Sequence, residues 1–199
     1  MIIGLTGNSG CGKSSVADIM HEEYGAFIID ADRIAHEVLL KDGLAFAEVV
    51  AEFGNGILND DGGIDRRKLG GLVFGNDKMR RQLIEITHKY IVKEMLTLLK
   101  QEHERHPHVV LDAPLLIEAE LHKSSDAVWL VYASLEVRLA RIISRDGLSE
   151  AEAHERIASQ TEYEKLKKYA DVVIDNSGGL AELKAEVRRI MSSQGSAQK

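Results

Sequence analysis

The stretch from Ile2 to Val16 limits what this chain can fold into more than any other. Ile2-Ile3-Gly4-Leu5-Thr6 is a short apolar run, and Gly7-Asn8-Ser9-Gly10-Cys11-Gly12-Lys13-Ser14 follows with the spacing Gly, four residues, Gly-Lys-Ser/Thr. A loop that wraps a polyphosphate must turn its backbone N–H groups inward, and glycine at 7, 10 and 12 permits both the angles and the close approach. Lys13 brings a point charge to the outer phosphates and Ser14 a hydroxyl for Mg²⁺. The helix opening there offers unpaired N–H groups and its positive dipole end to the same anion. A strand-like run before the loop and a helical one after it are the context this pattern requires. The loop's candidate contacts are Asn8, Ser9, Gly10, Cys11, Gly12, Lys13, Ser14 and Ser15. A glycine-rich turn that binds nothing would leave Lys13 without a purpose.

A chain of 199 residues is one domain, or one domain with an insertion, and can bury a substantial core. With 44% hydrophobic and 29% charged residues it reads as an ordinary water-soluble globular protein. No apolar run approaches the roughly 20 residues of a membrane span, and no basic leader precedes the first strand, so a cytoplasmic protein without membrane contact is expected. The single cysteine, Cys11, excludes an internal disulfide. A net charge of −7 argues against a broad nucleic-acid surface, which needs many Lys and Arg against phosphates. A small anionic ligand needs only a local cluster.

Val16, Ile19 and Met20 keep helical spacing until Gly25 stops it. Ala26-Phe27-Ile28-Ile29 is a second short apolar run, ending in Asp30-Ala31-Asp32. Helical patterns then cover Arg33 to Leu40, Leu44 to Phe53, and Asp77 to His103, with a glycine- and Asp-rich turn or small hairpin over 54–63. Residues 33–107 contain no convincing strand and read as a helical insertion. Three further apolar runs follow at 108–112, 127–132 and 172–176, separated by helical patterns over 135–145 and 149–168 and followed by one over 180–191. Runs without alternation suit parallel strands covered on both faces. The expected fold is therefore α/β: a P-loop NTPase-type parallel five-stranded sheet flanked by helices, with a helical insertion and a short lid. The nucleotide-binding core takes 1–32 and 108–199, the lid about 138–150, and the polar tail from Ser192 is expected to fray.

In an open parallel sheet, ligands lie at the carboxyl ends of the strands. Those ends read Gly7, Asp30 with Asp32, Asp112, Ala133-Ser134, and Asp175 with Asn176, which outlines a site for magnesium and phosphoryl transfer. Asp30 and Asp32 are alternative acids for orienting an acceptor hydroxyl. Asp112 is a candidate magnesium carboxylate, or else a turn-forming Asp before Pro114. Arg138, Arg141 and Arg145 share one helical face, as a lid over a triphosphate or as a solvated face paired with Glu136 or Asp146. Arg156 and Gln160 repeat a spacing of four on the next helical pattern and either support that lid or lie on the surface. Cys11 sits where a helix terminus and Lys13 both lower a thiol's pKa, although a small residue tolerated by the loop explains it as well. His88 lies in a helical pattern without partners at metal-ligand spacing.

Together these residues resemble the dephospho-coenzyme A kinase family. The likeness is carried by Gly4-Leu5-Thr6-Gly7 through Lys13-Ser14, Asp30-Ala31-Asp32-Arg33-Ile34-Ala35-His36, Asp61-Gly62-Gly63-Ile64-Asp65-Arg66, His88, Asp112-Ala113-Pro114-Leu115-Leu116-Ile117-Glu118, Arg141 to Arg145, Arg156 to Gln160, and Ala170 to Asn176. The resemblance implies ATP-dependent phosphorylation of the ribose 3′-hydroxyl of dephospho-coenzyme A, with ATP as donor and Mg²⁺ as cofactor. It implies Asp32 as the acid that orients the hydroxyl, Lys13 and Ser14 on the triphosphate and Mg²⁺, Arg141 as a lid contact, and Asn176 in the adenine pocket. A helical substrate domain would match the insertion, and a monomer or small homo-oligomer is expected. Asn8 and Cys11 replace a Gly and a Ser of the usual loop, Ser15 a Thr, and Lys89 a Pro after His88.

A nucleoside or nucleotide kinase of the same architecture is the nearest competing reading. A guanine-nucleotide switch is a second, against which no Asn-Lys-x-Asp signature occurs.

Overall fold

Ile3 and Leu5 have no exposed surface, so the first strand must be covered on both faces and paired along both edges. The computed structural model, which describes residues 1–196 with side chains through residue 193, shows how. Strands β1 (Ile2–Thr6), β2 (Phe27–Asp30), β3 (Val109–Asp112), β4 (Ala127–Tyr132) and β5 (Val172–Asp175) form one sheet in the order β2-β3-β1-β4-β5. β1 lies parallel to β3 on one side, with Leu5 opposite Asp112, and to β4 on the other, with Leu5 opposite Trp129. β5 continues the parallel set beside β4. This central register aims the loop after β1 and the end of β3 at the same edge of the sheet.

Between and after the strands run helices α1 (Lys13–Tyr24), α2 (Ala31–Glu37), α3 (Phe46–Phe53), α4 (Arg66–Val73), α5 (Asp77–Glu102), α6 (Leu135–Asp146), α7 (Glu150–Ala158), α8 (Tyr163–Lys167) and α9 (Leu180–Ser196). The chain divides into two compact units, one made of Met1–Ile29 with everything from Gln101 onward, the other of Asp30–Lys100. These limits fall a few residues before the expected 33 and 107, because α2 opens directly at the strand exit and α5 ends at Glu102.

In the first unit, Val16, Ile19 and Met20 of α1 and Leu183, Val187 and Ile190 of α9 pack with Ile3, Leu5, Trp129, Val131 and Ile174 of the sheet. Gly25 ends α1 in the left-handed region (φ 63°), its N–H bonded to the carbonyls of His21 and Met20. The single helix expected over 149–168 is two. A capping box on Ser149 and Glu152 starts α7, and the chain leaves the helix at Ser159 before α8 begins at Tyr163. Ser159 returns its hydroxyl to the Arg156 carbonyl, a side-chain bond that competes with helical continuation. The tail expected to fray is helical to Ser196, and the rest of that expectation lies outside the described residues.

The second unit is helical. Among its described residues the only strand-like pairing is an isolated antiparallel bridge between Leu58 and Ile64, closing the glycine-rich turn. Asp65 caps α4 by accepting from the N–H groups of Arg67 and Lys68, which draws its carboxyl below the ordinary range. Glu48 on α3 holds two residues of α5, Lys89 at 2.7 Å and Tyr90 at 2.8 Å. Lys89 thus serves to tie these two helices together.

Candidate active site

Loop 7–12 connects β1 to α1, and its glycines are required by shape. Gly12 caps α1 at φ 84°, ψ 34°, and a Cβ there would overlap the amide nitrogen of Asn176. A Cβ on Gly10, at φ 81°, would stand 2.8 Å from the Arg138 carbonyl. No side chain caps the start of α1, where a helix presents its positive dipole end to an anion, and the Ser15 N–H is bonded to the Gly12 carbonyl.

The carbonyls of the loop, in contrast, are held from behind. Arg138 donates from Nε to the Ser9 carbonyl at 3.0 Å, and Arg141 from Nη1 to those of Gly10 and Cys11, each at 3.3 Å. Asn176, 3% exposed, donates from Nδ2 to the Cys11 carbonyl at 2.8 Å. A loop whose C=O groups are fixed outward has its N–H groups turned the other way, the polarity a polyphosphate needs. Arg138 and Arg141 therefore lie against the loop. Burial pulls the Arg138 pKa below its ordinary value, opposed by Cys11 and Tyr132.

Lys13 forms an ion pair with Asp112, their side chains 14% and 7% exposed. This places the end of β3 beside the first residue of α1. The other strand-exit carboxylates are engaged elsewhere, which narrows the expected constellation. Asp30 accepts from the N–H groups of Asp32 and Arg33, capping α2. Asp175 accepts from the N–H and hydroxyl of Ser177. Asp32, in the first turn of α2, is exposed, and its carboxylate has no hydrogen-bond partner among the described residues.

Arg145 and Arg156 follow the surface alternative, both pairing with Asp146 at 2.8 and 2.7 Å. Gln160 lies beyond α7 rather than on it and accepts from Arg138 Nη2 at 2.7 Å. Cys11 follows the small-residue alternative. Its burial pushes the thiol pKa up, and the Lys13 backbone N–H and the charges of Lys13 and Arg138 do not offset this. It is a neutral, small packing residue of the loop. His88 is half-buried on α5 with no hydrogen-bond partner among the described residues.

Sequence reasoning missed Thr161. Its carbonyl accepts from Asn8 Nδ2 at 2.9 Å and its hydroxyl donates to Glu118 Oε1 at 2.8 Å. The run Ser159-Gln160-Thr161, with two hydroxyl residues of which one is β-branched inside a helical pattern, was the available signal.

Within the second unit, a cavity of about 270 Å³ is lined by His36, Lys41 and Arg66 together with Leu39, Leu40 and Ile64. Lys41 and Arg66 bring positive charge, and Asp61 a carboxylate, beside this apolar wall.

Residues 1–182 match the family model described as dephospho-CoA kinase. The chain belongs to the dephospho-CoA kinase family. A curated dephospho-CoA kinase of Aquifex aeolicus is 43% identical over 188 residues, 94% of each chain. The solved dephospho-CoA kinase from Campylobacter jejuni superposes with a TM-score of 0.66 at 29% identity, covering 96% of both chains. Shikimate kinase from Acinetobacter baumannii shares the fold, with a TM-score of 0.58 at 17% identity over 97% of this chain and 93% of its own. Membership of the dephospho-CoA kinase family makes this chain a kinase with a P-loop α/β fold. No helix among the described residues is long and apolar enough to cross a membrane.

Proposed function

We propose that this enzyme transfers the γ-phosphoryl group of ATP to the ribose 3′-hydroxyl of dephospho-coenzyme A, giving coenzyme A and ADP. This is the final step of coenzyme A synthesis. The observation that carries the reading is the family match through residue 182, which takes in the phosphate loop, Asp32, Asp112 and Asn176 together. A cytoplasmic monomer or small homo-oligomer fits such a biosynthetic role.

Phosphoryl transfer asks a protein for positioning and charge neutralisation more than for covalent chemistry. The loop amides and Lys13 hold the triphosphate, Lys13 exchanging Asp112 for phosphate oxygens. Ser14 and Asp112 are the residues that would hold Mg²⁺. Ser14 is exposed, and its hydroxyl has no partner among the described residues. No group of three or more His, Cys, Asp or Glu that could cage a metal occurs among them, so the donor set suits a hard cation completed by water and phosphate. When bound, Mg²⁺ supplies electrostatic stabilisation of the charge on the phosphate oxygens. Asp32 orients the 3′-hydroxyl and receives its proton as O3′ bonds to the γ-phosphorus and the bond to the bridging oxygen of ADP breaks. Arg141 steadies the loop under the developing charge. Asn176 holds the Cys11 carbonyl of the loop and forms part of the adenine pocket.

The cavity lined by His36, Lys41 and Arg66 supports the second unit as the acceptor-binding element, since the acceptor is a diphosphate with an apolar-flanked arm. The test is incubation with ATP, Mg²⁺ and either dephospho-coenzyme A or nucleoside monophosphates, with products separated by chromatography. Coenzyme A and ADP are expected. Turnover of the monophosphates alone overturns the assignment.

A further inference from the structure

Two bonds leave the phosphate loop and its Arg138 brace and end on adjacent residues of the turn between α7 and α8. Asn8 Nδ2 donates to the Thr161 carbonyl at 2.9 Å, and Arg138 Nη2 to Gln160 Oε1 at 2.7 Å. We propose that the Gln160-Thr161 turn is a latch that pre-forms the nucleotide-binding shape of the loop, with Asn8 and Gln160 as its positioning residues.

The geometry of the guanidinium carries the first half. Nε and Nη2 lie in one rigid plane, so fixing Nη2 on Gln160 fixes the direction in which Nε reaches the Ser9 carbonyl. The second half rests on the helix break. In a continuous helix the Thr161 carbonyl would accept the N–H four residues on and would not be open to Asn8. Leaving the helix at Ser159 frees that carbonyl. The turn is itself anchored, because the Thr161 hydroxyl donates to Glu118 Oε1 at 2.8 Å. All four bonds lie inside the first unit.

A loop held in its binding form loses little entropy when a ligand arrives. With the latch released, only a fraction of molecules carries the competent loop, and apparent affinity falls by that fraction. Once ATP is bound the loop is in place either way. The KM for ATP therefore rises while kcat holds, the signature of lost uniform binding.

This inference rests on the kinase reading, and one measurement separates the two. Equilibrium titration with ATP reads the latch whichever acceptor the enzyme uses, whereas failure of wild-type protein to phosphorylate dephospho-coenzyme A counts only against the substrate assignment. Asn8→Ala and Gln160→Leu are each expected to weaken ATP binding and raise its KM by about fivefold, the net worth of one hydrogen bond. For Gln160→Leu the turnover number should stay within about twofold, and the acceptor's KM should be unchanged. Gln160→Glu keeps an acceptor for Arg138 and should retain wild-type ATP affinity. Unchanged ATP affinity in both Asn8→Ala and Gln160→Leu overturns the latch. So does a fall in kcat as large as the rise in KM, or a Gln160→Glu enzyme no better than Gln160→Leu.

Discussion

At the scale of single residues, the structure separates groups that sequence spacing leaves equivalent. Asp30 and Asp32 are two acids at one strand exit, and alternation gives no reason to prefer either. Their hydrogen bonds do. The Asp30 carboxylate is committed to the first turn of α2, while that of Asp32 meets no partner among the described residues. Asp30→Asn keeps a good cap and should leave turnover near the wild-type value, whereas Asp30→Ala should cost about 1 kcal/mol of stability. Asp32→Asn keeps shape and loses the charge, so kcat should fall by about 10²-fold or more with ATP affinity little altered. Steady-state kinetics on the three variants decides this, and an equal loss in Asp30→Asn would exchange the two roles. Cys11 teaches the opposite lesson. Its sequence neighbours argue for an activated thiol, but burial is a property of the folded environment and outweighs them.

At the scale of elements, patterns set by the local chain were legible and those set by distant partners were not. The five strands stood out because a central parallel strand is apolar on both faces, as in Val109-Val110-Leu111, all buried. The phosphate loop was legible because its glycines answer a local backbone demand. The break at Ser159 was hidden, since its purpose lies in bonds to Asn8 and Arg138 far away in the chain. The link between α3 and α5 was hidden for the same reason. There Lys89, and after it Tyr90, hydrogen-bond Glu48 and hold its carboxyl below the ordinary value near 4.5, while Glu48 raises Lys89 above 10.5 and Tyr90 above 10.0. A depressed acid contributes fully above its unfolded pKa, and that contribution is lost as pH falls through the lower folded value. The raised Lys and Tyr contribute fully below theirs and lose it as pH rises through the higher folded values. Wild type should therefore melt about 2 °C above Glu48→Gln near neutral pH, a small margin because the pair is solvent-screened. The gap should narrow as pH falls below the ordinary carboxylate value near 4.5. A gap that stays constant into acid would show that Glu48 acts by packing alone.

At the scale of the whole molecule, the first unit is built from two remote pieces of chain. The loop itself belongs to the first piece, yet β1 pairs on one side with Val109 to Asp112 and on the other with Ala127 to Leu130. The groups that fix the loop's carbonyls, Arg138, Arg141 and Asn176, also come from the second piece. A motif recognisable within eight residues thus depends for its shape on side chains supplied more than a hundred residues later. In a fragment ending at Lys100, Ile3 and Leu5 would lose both neighbouring strands and face water, and the loop would lose three of its braces. Unpaired strand edges and uncovered apolar side chains do not offset the entropy of ordering the loop. Such a fragment should show no parallel-sheet signature in circular dichroism and no measurable ATP binding in titration. Adding the chain from Gln101 onward as a separate polypeptide should restore both, because it returns β3, β4 and the braces together. ATP binding by the isolated first hundred residues, at the affinity of the whole protein, would mean that the loop holds its shape alone and that the distant arginines and Asn176 are not what turns its amides inward.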